Sequence, residues 1–135
     1  RDQENFFEKI IRNVKKTISA KWGQLDAREY WRHILTDVRR SDKEIYLGAF
    51  PRWDNTARKG KRGDIYKNTE PEEFEKNIEQ LLAMAQKNHH RFIFINAWNE
   101  WAEGAYLEPD KRYGYKYLDA IKRCIDRKET NEEIN

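Results

Sequence analysis

The stretch from Arg91 to Asp110, RFIFINAWNEWAEGAYLEPD, decides how the chain is read. Phe92-Ile93-Phe94-Ile95 is an unbroken apolar run between polar residues, the pattern of a strand buried on both faces in a parallel sheet. Asn96, Trp98, Asn99, Glu100, Trp101, Glu103 and Glu108 follow it, and this mixture of carboxylates, amides and indoles is costly to bury without partners. The end of a buried parallel strand is where α/β folds carry their ligand loops. Indole faces suit the apolar faces of a sugar ring, while carboxylates and amides bond its hydroxyls. The alternative is that the three acids are solvated and the tryptophans are packing anchors. Composition alone leaves both open.

Working outward, Ile45-Tyr46-Leu47-Gly48-Ala49-Phe50 reads as a second short strand ended by Pro51, which cannot donate to a ladder. Trp53, Asp54, Asn55 and Arg58 follow, offering an acceptor, an amide and a guanidinium fork for sugar hydroxyls or an anionic substituent. The competing reading is an Asx-type turn at Asp54 and Asn55 that Arg58 braces by pairing with Asp54. Lys59-Gly60-Lys61-Arg62-Gly63 then reads as a basic, flexible turn, suited either to a diphosphate or to plain solvation. Parallel strands would bring this loop to the same rim as the Asn96–Glu108 loop.

Between the two strands, Thr69 to Asn88 carries a helical apolar period through Phe74, Ile78, Leu81, Leu82 and Ala85. Thr69 and Glu72 are spaced as a capping box, Pro71 suits the first turn, and His89-His90 suit the C-terminus. The helix is expected to be the crossover that keeps the strands parallel. A further helix is expected over Ala27–Arg39, capped by Asp26, with Tyr30, Trp31, Ile34, Leu35 and Val38 on one stripe and His33 on the surface. The last helix is expected from Lys111 to Arg127, capped by Asp110, with Lys128 onward a disordered polar tail.

From Gln3 to Ser19, Phe6, Phe7, Ile10, Ile11, Val14 and Ile18 form an amphipathic helical stripe backed by Lys and Arg. That basic face fits peripheral contact with an anionic membrane or simple solvation. The organisation expected is therefore an amphipathic helix over 1–20, a β/α domain over 21–127 and a polar tail over 128–135.

Charge is balanced, with 27 basic and 24 acidic residues, so no concentrated basic face argues for nucleic acid. A mean hydropathy of −1.14 and the absence of an apolar run of about 20 residues argue against a membrane span. The single Cys124 has no internal disulfide partner, which fits a reducing, cytoplasmic compartment. His and Cys spacing suggests no metal site, and no cofactor is expected.

Asn96-Ala97-Trp98-Asn99-Glu100-Trp101-Ala102-Glu103-Gly104-Ala105-Tyr106-Leu107-Glu108-Pro109-Asp110, with Tyr113-Gly114-Tyr115, resembles the C-terminal signature of the WbsX family. Gly48-Ala49-Phe50-Pro51-Arg52-Trp53-Asp54-Asn55-Thr56-Ala57-Arg58 is similar to that family's other recognisable block. The family is named for glycosyltransferases of bacterial surface-polysaccharide gene clusters (lipopolysaccharide, O-antigen, capsule) and is related to endo-α-1,2-mannosidases, glycoside hydrolase family 99-like enzymes. The resemblance implies the C-terminal β/α units of a (β/α)8 TIM-type barrel. At 135 residues the chain is shorter than the roughly 200 such a barrel needs, so a fragment completed by the remainder of the parent barrel is expected.

The resemblance also implies chemistry on a glycan or lipid-linked oligosaccharide. Carried over by position, Glu100 is the base that deprotonates the sugar's own 2-hydroxyl and Glu103 the general acid, with Ala102 in place of the relatives' His. Asn96 or Asn99 is expected to hold Glu100. Substrate contacts are expected from Trp53, Asp54, Asn55, Arg58, Asn96, Trp98, Asn99, Trp101, Tyr106 and Glu108. An endo-acting glycoside hydrolase, a non-catalytic sugar-binding module and an inactive fragment are the alternatives.

Overall fold

The computed structural model describes residues 24–40 and 46–133. The amphipathic stripe from Gln3 to Ser19, the strand residue Ile45 and the last two residues of the expected tail lie outside them. Two parallel ladders carry the fold: β1 (Gln24–Asp26) pairs with β3 (Ile65–Lys67), and β2 (Leu47–Ala49) pairs with β4 (Ile93–Ile95) in the register Leu47↔Ile93, Gly48↔Phe94, Ala49↔Ile95. A short antiparallel hairpin, β5 (Asn99–Glu100) and β6 (Ala105–Tyr106), forms a third ladder. The architecture is α/β with short strand–helix units, and the ladders of the described residues do not join into a closed barrel.

The crossover helix α3 (Pro71–Lys87) lies between β3 and β4 in the chain, and its Phe74, Ile78, Leu81, Met84 and Ala85 are buried. It shares one core with Leu47 and Ala49 of β2, with Trp31 of α1 (Ala27–Arg40) and with Tyr117, Ala120 and Cys124 of α4 (Lys116–Glu133). Tyr117 sets its ring edge-on to Phe74 at 5.5 Å and donates its hydroxyl to the Thr69 carbonyl at 2.6 Å. Burial pushes the Tyr117 phenol well up, so it stays a donor. Outside this core, Glu75 accepts from Arg123 at 2.5 Å and from Arg127, which also reaches Glu79 at 2.7 Å.

Several expectations need correction. Glu70, not Thr69, caps α3, and no side chain bonds there. Pro71 takes the first helical position, which its fixed φ and missing N–H favour, and this moves the start one residue past the Thr69–Glu72 box. At the other end His90 and His89 act through their backbones, donating to the Ala85 and Gln86 carbonyls at 2.8 and 3.2 Å while His89 sits at φ 55°. That is a Schellman closure, made by the backbone.

The run Phe92–Ile95 is not buried on both faces. Ile93 and Ile95 turn to the core, whereas Phe92 and Phe94 are 56% and 59% exposed, because among the described residues β4 pairs with β2 alone and α3 covers one side only. Tyr46 meets Phe94 edge-on at 5.9 Å on the open side.

Asp26 does cap α1, its Oδ1 accepting from the Arg28 N–H at 2.9 Å. Asp110 does not cap the last helix. Its Oδ1 accepts from the Arg112 and Tyr113 N–H groups at 2.9 and 2.5 Å, closing a separate turn that ends at Gly114 with φ 55°. Helix α4 starts only at Lys116 and runs on to Glu133, past the boundary expected at Arg127, since a Lys- and Glu-rich sequence extends a formed helix readily. Among the described residues no helix is long and apolar enough to cross a membrane.

Candidate functional site

Because β2 and β4 are parallel neighbours, the segments leaving Ala49 and Ile95 emerge at one edge. The Asn96 N–H donates to the Ala49 carbonyl at 2.9 Å, and the Asp54 N–H donates to the Glu103 carbonyl at 2.8 Å. The two loops expected to meet are thus fastened main chain to main chain. Gly104 makes that approach feasible: a Cβ there would lie 2.8 Å from the Asp54 nitrogen, and its φ of +60° is one that side chains rarely adopt.

The first loop is more ordered than its composition suggested. Asp54 Oδ1 accepts from the Thr56 N–H at 3.0 Å and the Thr56 hydroxyl at 2.6 Å, an Asx-type turn. Asn55 is only 3% exposed, with its Oδ1 accepting from the Asp64 N–H at 2.8 Å. Thr56–Lys59 forms a single helical turn, α2, and Gly60–Arg62 a 3-10 turn; Gly63 lies so close to Thr56 that a Cβ would meet its Cα at 2.7 Å. The basic run is a built corner. Arg58 does not pair with Asp54; its Nη1 contacts Glu103 Oε1 at 2.5 Å.

The second loop is a hairpin whose tip, Trp101–Glu103, is a 3-10 turn between β5 and β6. Glu100 is exposed, and among the described residues its carboxylate makes no side-chain hydrogen bond; neither Asn96 nor Asn99 holds it. Trp98 and Trp101 flank it and are about half exposed. Trp101 stacks on Tyr106 with ring centroids 3.8 Å apart and donates Nε1–H to Glu108 Oε2 at 2.6 Å, so Trp101, Tyr106 and Glu108 form one unit.

An open cavity of about 610 Å³ lies beside the edge. Trp53, Asn55 and Asn96 of the expected residues line it, together with Tyr30, Phe50 and Tyr66, whose rings meet edge to face at 5.5–5.7 Å. Burial, with Tyr30 and Asp64 nearby, pushes the Tyr66 phenol up, which keeps a hydroxyl donor on the wall. Glu100, Glu103, Trp98 and Trp101 are not part of its lining.

Sequence reasoning missed Arg52. Its Nη1 lies 3.0 Å from the Tyr106 hydroxyl and 3.3 Å from Asp110 Oδ2, and Tyr106 donates to the same oxygen at 2.9 Å. Burial raises Asp110, but the N–H of Tyr113, the Tyr106 hydroxyl, the Arg112 N–H and the Arg52 charge outweigh it and hold the carboxyl below its usual range. Tyr106 is pushed up by burial and by donating to Asp110. The one available signal was position: Arg52 stands between Pro51 and Trp53 in the first block, as Asp110 ends the second.

The sequence profile described as Glycosyltransferase WbsX matches residues 1–121. Two proteins described as "Uncharacterized protein WxcX", from two strains of Xanthomonas campestris pv. campestris, are 41% identical to the chain over 104 residues. The match covers 72% of this chain and 15% of each relative, so the chain spans a small part of their length. No solved structure matches. With both signature blocks fastened at one strand edge and a profile match over most of its length, the chain belongs to the family described as Glycosyltransferase WbsX.

Proposed function

We propose that the chain is part of a carbohydrate-active enzyme that makes or breaks glycosidic bonds in bacterial surface-polysaccharide biosynthesis, with Glu100 and Glu103 as its acid–base pair. The observation that carries this is the union of the two blocks: Asp54 and Arg58 of the first both bond Glu103 of the second. Glu100 stands three positions away on the same hairpin, unpaired among the described residues and flanked by two half-exposed indoles.

In this reading Glu100 takes the proton of the sugar's own 2-hydroxyl, whose oxygen closes on the anomeric carbon as an internal epoxide, while Glu103 gives a proton to the glycosidic oxygen that departs. Arg58 occupies Glu103 Oε1, so acid duty begins when a substrate draws the guanidinium away. The strands are the last β/α units of a (β/α)8 barrel, and the remainder of the parent chain supplies the other wall of the cavity.

Glu100→Gln and Glu103→Gln in the full-length protein test it. Each should lower turnover on a natural glycan by about 10²–10⁴-fold, and Glu103→Gln should spare substrates whose leaving group needs no proton. Near-normal turnover in both variants would make the pair structural and move the chemistry to other residues, whereas glycan binding without turnover by the unaltered protein would favour a non-catalytic sugar-binding module. Transfer to a sugar acceptor, against release into water, separates transferase from hydrolase.

A further inference from the structure

A second open cavity, of about 500 Å³, is lined by Arg52, Trp101, Tyr106, Asp110, Lys111 and Arg112. Its framework is complete without a ligand. Asp110 takes the Arg52 and Tyr106 contacts on Oδ2 and two backbone N–H groups on Oδ1, and the Arg52 guanidinium sits 5.0 Å over the Tyr106 ring. Trp101 rests on Tyr106 at 3.8 Å, a supported aromatic platform that still leaves the indole 47% exposed.

Among the residues that line the cavity the charge not already paired is cationic, and the nearby Glu108 is engaged with the Trp101 indole N–H at 2.6 Å. Arg52 is matched by Asp110, whereas Lys111 and Arg112 are exposed and make no ion pair among the described residues. Among the described residues the Arg112 guanidinium meets the Tyr113 ring, 4.8 Å from its carbon. A subsite for neutral sugars needs carboxylate or amide acceptors for hydroxyl protons. Here the one carboxylate is already engaged, and the free groups are cationic donors beside a flat ring face.

We propose that this cavity is a subsite for a sugar residue bearing an anionic substituent, a carboxylate or a phosphate ester. Trp101 takes the ring face, and Lys111 and Arg112 take the charge. The inference rests on the carbohydrate reading above and adds the substrate class: the glycan carries acidic sugars close to the bond on which Glu100 and Glu103 act, since Trp101 lies between those two residues.

Calorimetric titration of the full-length protein tests it with matched pairs: tetragalacturonate against its methyl ester, and mannopentaose phosphorylated on its terminal sugar against plain mannopentaose. At low salt one charged member should bind about tenfold or more tighter than its neutral match, and added salt should erode that difference. The pair that shows the preference identifies carboxylate or phosphate as the substituent. Lys111→Ala/Arg112→Ala should abolish the preference, while Lys87→Ala, at the C-terminal end of α3, should keep it. Neutral glycans bound as tightly as charged ones, or a preference that survives the double variant, would overturn the subsite and leave the carbohydrate reading standing. If no glycan of either kind binds at about millimolar Kd, a weak limit of roughly 4 kcal/mol, the carbohydrate reading itself falls and the subsite with it.

Discussion

The Arg58 guanidinium reaches Glu103 across 45 positions of sequence, with Nη1 2.5 Å from Oε1. It is one of the side-chain links between the two blocks, beside those of Arg52 with Tyr106 and Asp110, and is laid over the backbone bond from the Asp54 N–H to the Glu103 carbonyl. The arginine is more than half exposed and the glutamate less than a quarter, so the charge is presented from the solvent side onto a fixed acid.

Arg58→Ala should therefore leave folding almost untouched, within about 0.5 kcal/mol in denaturant unfolding, as for an exposed side chain with a single ion-pair partner. Turnover of the full-length protein should fall by about 10- to 100-fold because the substrate loses the guanidinium that it draws from Glu103, with Arg58→Lys intermediate. An unfolding shift with no kinetic effect would mean that the contact serves the fold alone.

Gly104→Ala should act on the fold and the site together. The added Cβ meets the Asp54 backbone at 2.8–2.9 Å and must also hold φ near +60°. A loss of about 1–3 kcal/mol is expected, together with faster hydrogen exchange at the Asp54 amide, which reports the parting of the loops.

The two faces of the fold predict opposite outcomes for phenylalanine. Phe74 is fully buried against Tyr117, so Phe74→Ala should cost about 3–5 kcal/mol. Phe94→Ser on the open side should change stability by no more than about 0.5 kcal/mol and should reduce self-association measured by light scattering.

Acid sensitivity should come from Asp110 and Glu75. Both carboxyls are held below their ordinary values in the fold, Asp110 by bonds that outweigh its burial and Glu75 chiefly by Arg123, then Arg127, against its own burial. The unfolded chain then binds protons at a higher pH than the folded one. Stability is fully present above the ordinary carboxylate range near pH 4 and is lost as pH falls through the depressed folded values. Asp110→Asn and Glu75→Gln should each lower the melting temperature at pH 7 and flatten its fall below about pH 4. A wild-type melting temperature that does not change between pH 5 and pH 3 would rule out this linkage.

The helices were legible because a period of 3.6 is repeated several times in each. Trp31 on α1, Phe74, Ile78, Leu81 and Ala85 on α3, and Cys124 on α4 face the core that the pattern implied, and Tyr117, which that pattern did not include, is buried with them. Strands β1 and β3 were not legible. Gln24-Leu25-Asp26 and Ile65-Tyr66-Lys67 are three residues each with little burial, too short to show an alternation. Phe92–Ile95 gave a clear strand but the wrong environment, since an apolar run does not reveal whether a second layer covers it.

At the site, the meeting of the two blocks was readable from parallel strands and a crossover helix. The partner of Arg58 was not. Asp54 is nearer in sequence, yet its Oδ1 is taken by Thr56, and closure of the loops leaves Glu103 as the acid within reach. Arg52 was overlooked because its value lies wholly in contacts with Tyr106 and Asp110, more than fifty positions on.

The pairing of β2 with β4 has a consequence for synthesis. Leu47 leaves the ribosome long before Ile93, and everything between them, including β3 and α3, must be made before the ladder can close. Closing so wide a loop costs entropy that only the finished ladder offsets, so helical segments form early and the strand edge late. The corner where the two loops meet is thus among the last parts to take shape, and a nascent chain stalled before Asn96 would have its helix but not the corner.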